Sequence, residues 1–203
     1  MSCRPVASVL VYCCLLAVVV AAGAGAVGVD VTDATSSGSG SVTAAAPVAY
    51  EGFDAGTAEA EVAALVNDER TDEGLPALDD APKLTDTARS HSVDMATREY
   101  MGHETPDGRD LSDRVRDAAV FRSCDTVGEN VGRVYLDRPF TAGGDTYDTD
   151  DEAEIAAALV AAWLASPDHR AILQSEKWSA QSVSIAVDAG GTVYATHHFC
   201  ERE

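Results

Sequence analysis

At 203 residues, with 46% of them hydrophobic, the chain is long enough to bury one core of ordinary size and too short for several. The 34 acidic side chains oppose 14 basic ones, for a formal net charge of -20, and a surface of that sign excludes nucleic acid as a partner. Mutual repulsion of exposed carboxylates destabilises a compact state unless salt shortens the Debye length, so the composition fits a halophilic, acidic protein.

Behind Arg4, residues Val6 to Ala22 form an almost unbroken apolar run, and Ala22-Gly23-Ala24 or Ala24-Gly25-Ala26 offers small residues to a signal peptidase. Residues 1–26 therefore read as a signal peptide or, since 17 residues reach the lower limit for spanning a bilayer, as an uncleaved N-terminal anchor. In either case the rest is expected to be secreted or at the cell surface, with a membrane partner only if the segment is kept. Tyr12 stands where a lipid-attachment signal needs a small residue, so Cys13 and Cys14 belong to the apolar run. Residues 27–56, with Ser36-Ser37-Gly38-Ser39-Gly40-Ser41, lack apolar periodicity and read as a flexible linker. The folded domain is expected over 57–203.

Val62, Leu65 and Val66 predict a first helix that Gly74 ends. Leu84, Ala88, His91 and Met95 succeed it at helical spacing, which puts His91 on an apolar helix face. Leu111 and Val115, with Ala118 or Ala119, predict a short third helix; Ile155, Leu159 and Trp163 predict a fourth that stops at Ser166-Pro167. Val127 to Tyr135 reads as a strand. Tyr135 to Asp151, with Gly143-Gly144 and several acids, reads as a polar surface loop without the Gly-centred order of a calcium loop. Ser182 to Asp188 and Thr192 to Cys200 alternate around Ala189-Gly190-Gly191, a hairpin signal. Helices separated by strands argue for an α+β fold, a sheet covered by helices.

Beyond the leader the cysteines are Cys124 and Cys200. An oxidising compartment would let them pair, a bridge worth about 4 kcal/mol on the chain-entropy model; two buried thiols are the alternative.

Four segments carry residue types suited to a polar cleft. They are His91-Ser92-Val93-Asp94-Met95-Ala96, His103 within Met101-Gly102-His103-Glu104-Thr105-Pro106-Asp107-Gly108, Gly128-Glu129-Asn130, and Trp163-Leu164-Ala165-Ser166-Pro167-Asp168-His169-Arg170. Their order resembles the CAP superfamily (cysteine-rich secretory proteins, antigen 5, pathogenesis-related 1), as an SCP-like domain of the compact microbial type. The resemblance covers Glu59 to Cys200 and includes Asn67 and Arg70, Gly108 followed by Arg114, and Val193 to Phe199. It implies an α-β-α sandwich with a central antiparallel sheet covered by helices. It also implies a cleft lined by His103, His169, Glu129 and Asn130, with Ser166 where longer members carry a second glutamate; Asp168 could supply a carboxylate nearby.

Two imidazoles beside a carboxylate form a partial site for a divalent metal such as Zn²⁺, with His103 and His169 as metal candidates. The same groups, His103, Glu129 and His169, are catalytic candidates as general base and orienting acid. A hydrogen-bonded polar network is the third reading of them. His197 and His198 must face opposite sides of a strand; His197, on the face of Val193, Ala195 and Phe199, is the more buried candidate, a core histidine or an extension of the cleft. No Gly-x-Ser-x-Gly elbow, phosphate loop or Cys-x-x-Cys pair is present. Two functions fit these residues: a secreted module that binds a small ligand, lipid, peptide or glycan, or a metal-assisted or His/Glu-dependent extracellular hydrolase, most naturally a peptidase. A purely structural module is a third reading.

The charge balance generates a first prediction. Thermal melts across a salt series should show the melting temperature rising steadily into molar salt; equal stability in dilute buffer and brine would contradict it.

Overall fold

The computed structural model describes residues 50–118, 120 and 123–202, so the leader and most of the linker lie outside the described residues. Ahead of the expected boundary at residue 57, Tyr50, Phe53 and Ala55 pack against the main core. Asp54 caps helix α1 (Ala55–Asp72) by accepting the backbone N–H groups of Gly56 and Thr57, donors that a helix start leaves free.

Val62 and Val66 are fully buried on α1. Gly74, at φ 78°, adopts the left-handed conformation that turns the chain out of the helix. Two polar residues of α1 then anchor the segments beyond it. Asn67 donates to the Leu78 carbonyl and accepts the Leu78 N–H. Arg70, buried, donates to the carbonyls of Pro76, Leu173 and Ser175, which holds a cation inside by carbonyl dipoles.

Strand β1 (Asp79–Asp80) leads into α2 (Pro82–Arg98), which buries the expected Leu84, Ala88, His91 and Met95 and closes with Glu99 at φ 54°. Helix α3 (Leu111–Asp117) opens with a reciprocal capping box between Asp110 and Asp113. Then come β2 (Thr126–Tyr135), β3 (Phe140–Ala142) and β4 (Asp145–Tyr147). The segment read as an acidic loop thus contains a small hairpin, because Phe140 and Tyr147 pair across it and pack against the core. Asp151 caps α4 (Glu152–Ala165), and α5 (Pro167–Leu173) begins at the Ser166-Pro167 break. Strands β5 (Ala180–Val187) and β6 (Thr192–Glu201) form the expected hairpin.

The main sheet runs β1-β5-β6-β2. Its three long strands are antiparallel, but β1 pairs with β5 in parallel over two residues, so the sheet is mixed at one edge rather than wholly antiparallel. Side-chain alternation divides it. One face carries Glu129, Val131 and Arg133 with His198, Thr196 and Tyr194, and α2 lies on it. There Ser92 donates to the Ser184 carbonyl and to Thr196 Oγ1, and Ser182 bonds Thr85, so the seryl positions of β5 seat α2 and do not face solvent. The other face carries Val134, Val193, Ala195 and Phe199 against α1 and α4, with Leu159 and Trp163 fully buried. This is the α-β-α sandwich. A small side cluster under α3 combines Val115, Leu84, Ala81 and Ala180 with Cys124 and Cys200, whose sulfurs are bonded.

Gly128 lets β2 approach the Trp178 ring: an added Cβ would lie 2.5 Å from Trp178 Cζ2. That ring is pinned by its Nε1–H bond to the Ile172 carbonyl. Gly128→Ala should therefore destabilise the protein by about 1–3 kcal/mol through overpacking, read from urea unfolding; an unchanged midpoint would mean the ring is free to move.

Candidate functional site

Glu129 lies on β2 with its side chain 2% exposed, and both of its oxygens accept N–H donors. Oε1 accepts from His103 Nδ1 at 2.9 Å. Oε2 accepts from Arg114 Nη2 at 2.6 Å and from His198 Nε2 at 2.9 Å. His91 Nε2 stands 4.0 Å from the same oxygen and donates instead to the Gly102 carbonyl at 2.9 Å. Burial alone would push the Glu129 carboxyl up, but the hydrogen bonds of His103 and His198, with the charges of His198 and Arg114, hold it well below the usual carboxylate range.

These contacts assign tautomers, since a carboxylate or carbonyl only accepts. His103 carries a proton on Nδ1, and its ring is 52% exposed. His91 and His198 carry theirs on Nε2 and are buried. The loop that bears His103 is held twice more: Arg114 Nη1 donates to the His103 carbonyl, and His91 grips Gly102. A carboxylate and two clamps therefore orient one half-exposed imidazole.

His169, on α5, has its ring centroid 6.3 Å from that of His103. Burial, then the neighbouring His103 charge, pushes its pKa down, while Asp168 opposes them. Asn130 points to the other side of β2 and donates to the His169 carbonyl at 3.1 Å, so it positions α5 from behind. Ser166 sits at the α4–α5 junction, where its backbone N–H bonds the Trp163 carbonyl and its side chain caps nothing.

Three groups of candidates take their places in the fold. First, among the described residues no three His, Cys, Asp or Glu groups stand together as an ion site; Glu129 accepts N–H donors on both oxygens, and the metal candidates His103 and His169 keep their ring centroids 6.3 Å apart. Second, His198 and not His197 joins the cleft network. Both are fully buried, but β6 pairs Glu129 with His198, while His197 bonds Gln181 and packs 3.9 Å from Phe199 on the opposite face. Third, His91 does lie on a buried helix face but also borders Glu129. Arg114 was legible only as part of the family pattern. Its role in neutralising Glu129 needed the fold.

The sequence profile described as the Cysteine-rich secretory protein family, CAP, matches residues 63–200, more than half of the chain. No curated protein matches the sequence. Among solved structures the fold is similar to an extracellular protein containing an SCP domain from Bacillus anthracis, with a TM-score of 0.55, 23% identity and coverage of 72% of this chain. The chain spans 41% of that protein's length. It is also similar to an outer surface protein of Borrelia burgdorferi, with a TM-score of 0.58, 14% identity, and coverage of 74% of this chain and 97% of that one. At these identities the likeness concerns the fold alone.

The buried histidines make stability depend on pH. Burial lowers His91 to about 4, with the Glu129 charge opposing, and His197 to about 3. Both are neutral when folded, so their contribution is complete above the unfolded pKa near 6.5 and is lost as pH falls toward those values. Glu129, whose pKa is lowered on folding, adds a loss below its unfolded value. Unfolding free energies from urea titrations should therefore fall between pH 6.5 and 4, by roughly 1 kcal/mol per pH unit for each histidine. His197→Asn should flatten that slope; the same slope in the variant would remove His197 from the account.

Proposed function

The chain belongs to the CAP family of cysteine-rich secretory proteins, and on that footing we propose that it is a secreted or surface-held binding module whose cleft takes its ligand between His103 and His169. The solved relatives described as extracellular and outer surface proteins support that placement. Among the described residues no helix is long and apolar enough to cross a membrane. The observation that carries the binding reading is the half-exposed ring of His103, fixed through Nδ1 by a buried carboxylate. In its neutral form that imidazole offers Nε2 as an acceptor to a ligand with an O–H or N–H donor, a class that includes glycans, peptides and lipid headgroups. Because the ring is already oriented, little conformational entropy is lost on binding.

The same geometry favours a second reading. A carboxylate that fixes the Nδ1–H tautomer leaves Nε2 as a general base toward water, so a His/Glu-dependent hydrolysis is the alternative. Glu129 would remain ionised and orienting throughout.

Nitrogen-15 NMR near neutral pH should find His103 in the Nδ1–H tautomer and His91 and His198 in the Nε2–H tautomer. In a ligand-observed screen of oligosaccharides, peptides and lipid headgroups, His103→Ala should abolish binding of any hit without changing the fold. Hits retained at wild-type strength by both His103→Ala and His169→Ala would defeat the cleft reading. Turnover of ester or peptide substrates that vanishes in His103→Ala would establish the hydrolase in its place.

A further inference from the structure

The last turn of α1 holds the helix that carries His169. Ala58, Val62, Val66 and Arg70 recur every four residues on the buried face of α1, so the stripe that seats this helix ends on a guanidinium instead of an alkyl group. Arg70 Nη1 donates to the Leu173 carbonyl at 2.7 Å and to the Ser175 carbonyl at 3.0 Å, and Nε donates to the Pro76 carbonyl at 3.1 Å. Glu69, one position earlier, accepts from Gln174 Nε2 at 3.0 Å. Leu173 closes α5, and Gln174 and Ser175 follow it, so both side chains grip the same end of that helix.

Helix α5 needs such a hold. At seven residues it is too short to be stable by itself. It leaves α4 through Ser166 in extended backbone, at φ -91° and ψ 120°, so α4 does not dictate its direction. Among the described residues of α5 only Leu173 is buried, with Ile172 half-buried beside it, and so little apolar contact leaves the helix free to turn.

Polar contacts fix what packing leaves open. Asn130 holds the His169 carbonyl near the start of α5, and Arg70 holds the Leu173 carbonyl about 6 Å further along the axis. A helix held at one point pivots; two points set its direction, and with it the direction in which the imidazole leaves the backbone. Arginine suits the second point because its rigid fork reaches carbonyls of two chain segments at once, whereas a lysine ammonium is a single compact charge.

We propose that Arg70, with Glu69 beside it, is a positioning residue of the cleft: acting through the C-terminal end of α5, the last turn of α1 sets where His169 stands relative to His103. The consequence for the cleft rests on the proposed function, but the placement of His169 is measured without a ligand, so either can fail alone.

The test is NMR of the histidine rings, titrated with pH, in wild type, Arg70→Lys, Glu69→Ala and Asn67→Ala. Burial and then the His103 charge push the His169 midpoint down, Asp168 opposes them, and the neighbouring Arg170 is bonded to the Leu164 carbonyl. Displacing α5 exposes the ring, so Arg70→Lys should raise that midpoint by about half a pH unit or more, and Glu69→Ala should raise it less. His103, held by Glu129, should keep its Nδ1–H tautomer in both. Asn67→Ala removes two hydrogen bonds from the same helix but none to α5, so it should lower stability and leave the His169 midpoint unmoved. A wild-type midpoint in folded Arg70→Lys overturns the proposal, as does an equal rise in Asn67→Ala, which would reduce Arg70 to a stabilising contact. If circular dichroism shows Arg70→Lys unfolded, Glu69→Ala decides: a rise supports the joint between α1 and α5, and no change overturns it.

Discussion

The buried Glu129 carboxylate is the constraint around which this end of the molecule is arranged. A carboxylate taken out of water costs several kcal/mol unless hydrogen bonds and opposite charge repay it. Here they come from separate elements: His103 from the loop after α2, Arg114 from α3 and His198 from β6. Each donor can reach the carboxylate only when its own element is in place, so satisfying one charge fixes three pieces of chain. Arg114 extends the effect, since a single guanidinium neutralises Glu129 and holds the His103 carbonyl.

Gly128-Glu129-Asn130 acts in three directions because it is strand. Alternation sends Glu129 to the α2 face and Asn130 to the opposite one, where it holds the His169 carbonyl from α5. Gly128 leaves room for Trp178, whose ring stacks on Phe199 with centroids 5.7 Å apart. Since β2 is an outer strand of the sheet, groups from both faces converge at its side, and that is how His103 and His169 come to face each other. The juxtaposition of the two rings is thus a product of strand position as much as of the histidines themselves.

Elements with a strong period could be read directly. The stripes of α1, α2 and α4 and the β5–β6 hairpin each repeat a burial pattern within one segment, so sequence alone locates them. Strand β1 could not be read, because two residues, Asp79 and Asp80, carry no period and pair only through backbone. The β3–β4 hairpin was hidden because acids and glycines surround its two aromatic anchors. His198 was missed for a different reason: its partner depends on the register between β2 and β6, which pairs Glu129 with His198, and no local pattern in either strand states that register. The partners of the carboxylate were hidden for the same reason, since Arg114 and His198 reach it only once α3 and β6 are in place.

Two electrostatic regimes coexist in the chain. Carboxylates on the surface repel through water, where mobile ions screen them, while the Glu129 cluster lies where ions do not enter and screening has little hold. Glu59 stands between these regimes. Half-buried on α1, it accepts the backbone N–H of Ile185 at 2.8 Å and the hydroxyl of Ser184, which caps a donor on the side of β5 that β1 leaves uncovered. Burial pushes its carboxyl up, while those hydrogen bonds and the Arg89 charge pull it back. Acidic residues in this protein therefore do more than solvate a surface: one closes an exposed sheet edge and another organises the cleft. Salt acts mainly on the exposed carboxylates, so the stability of the whole can vary with ionic strength while the geometry around Glu129 stays fixed.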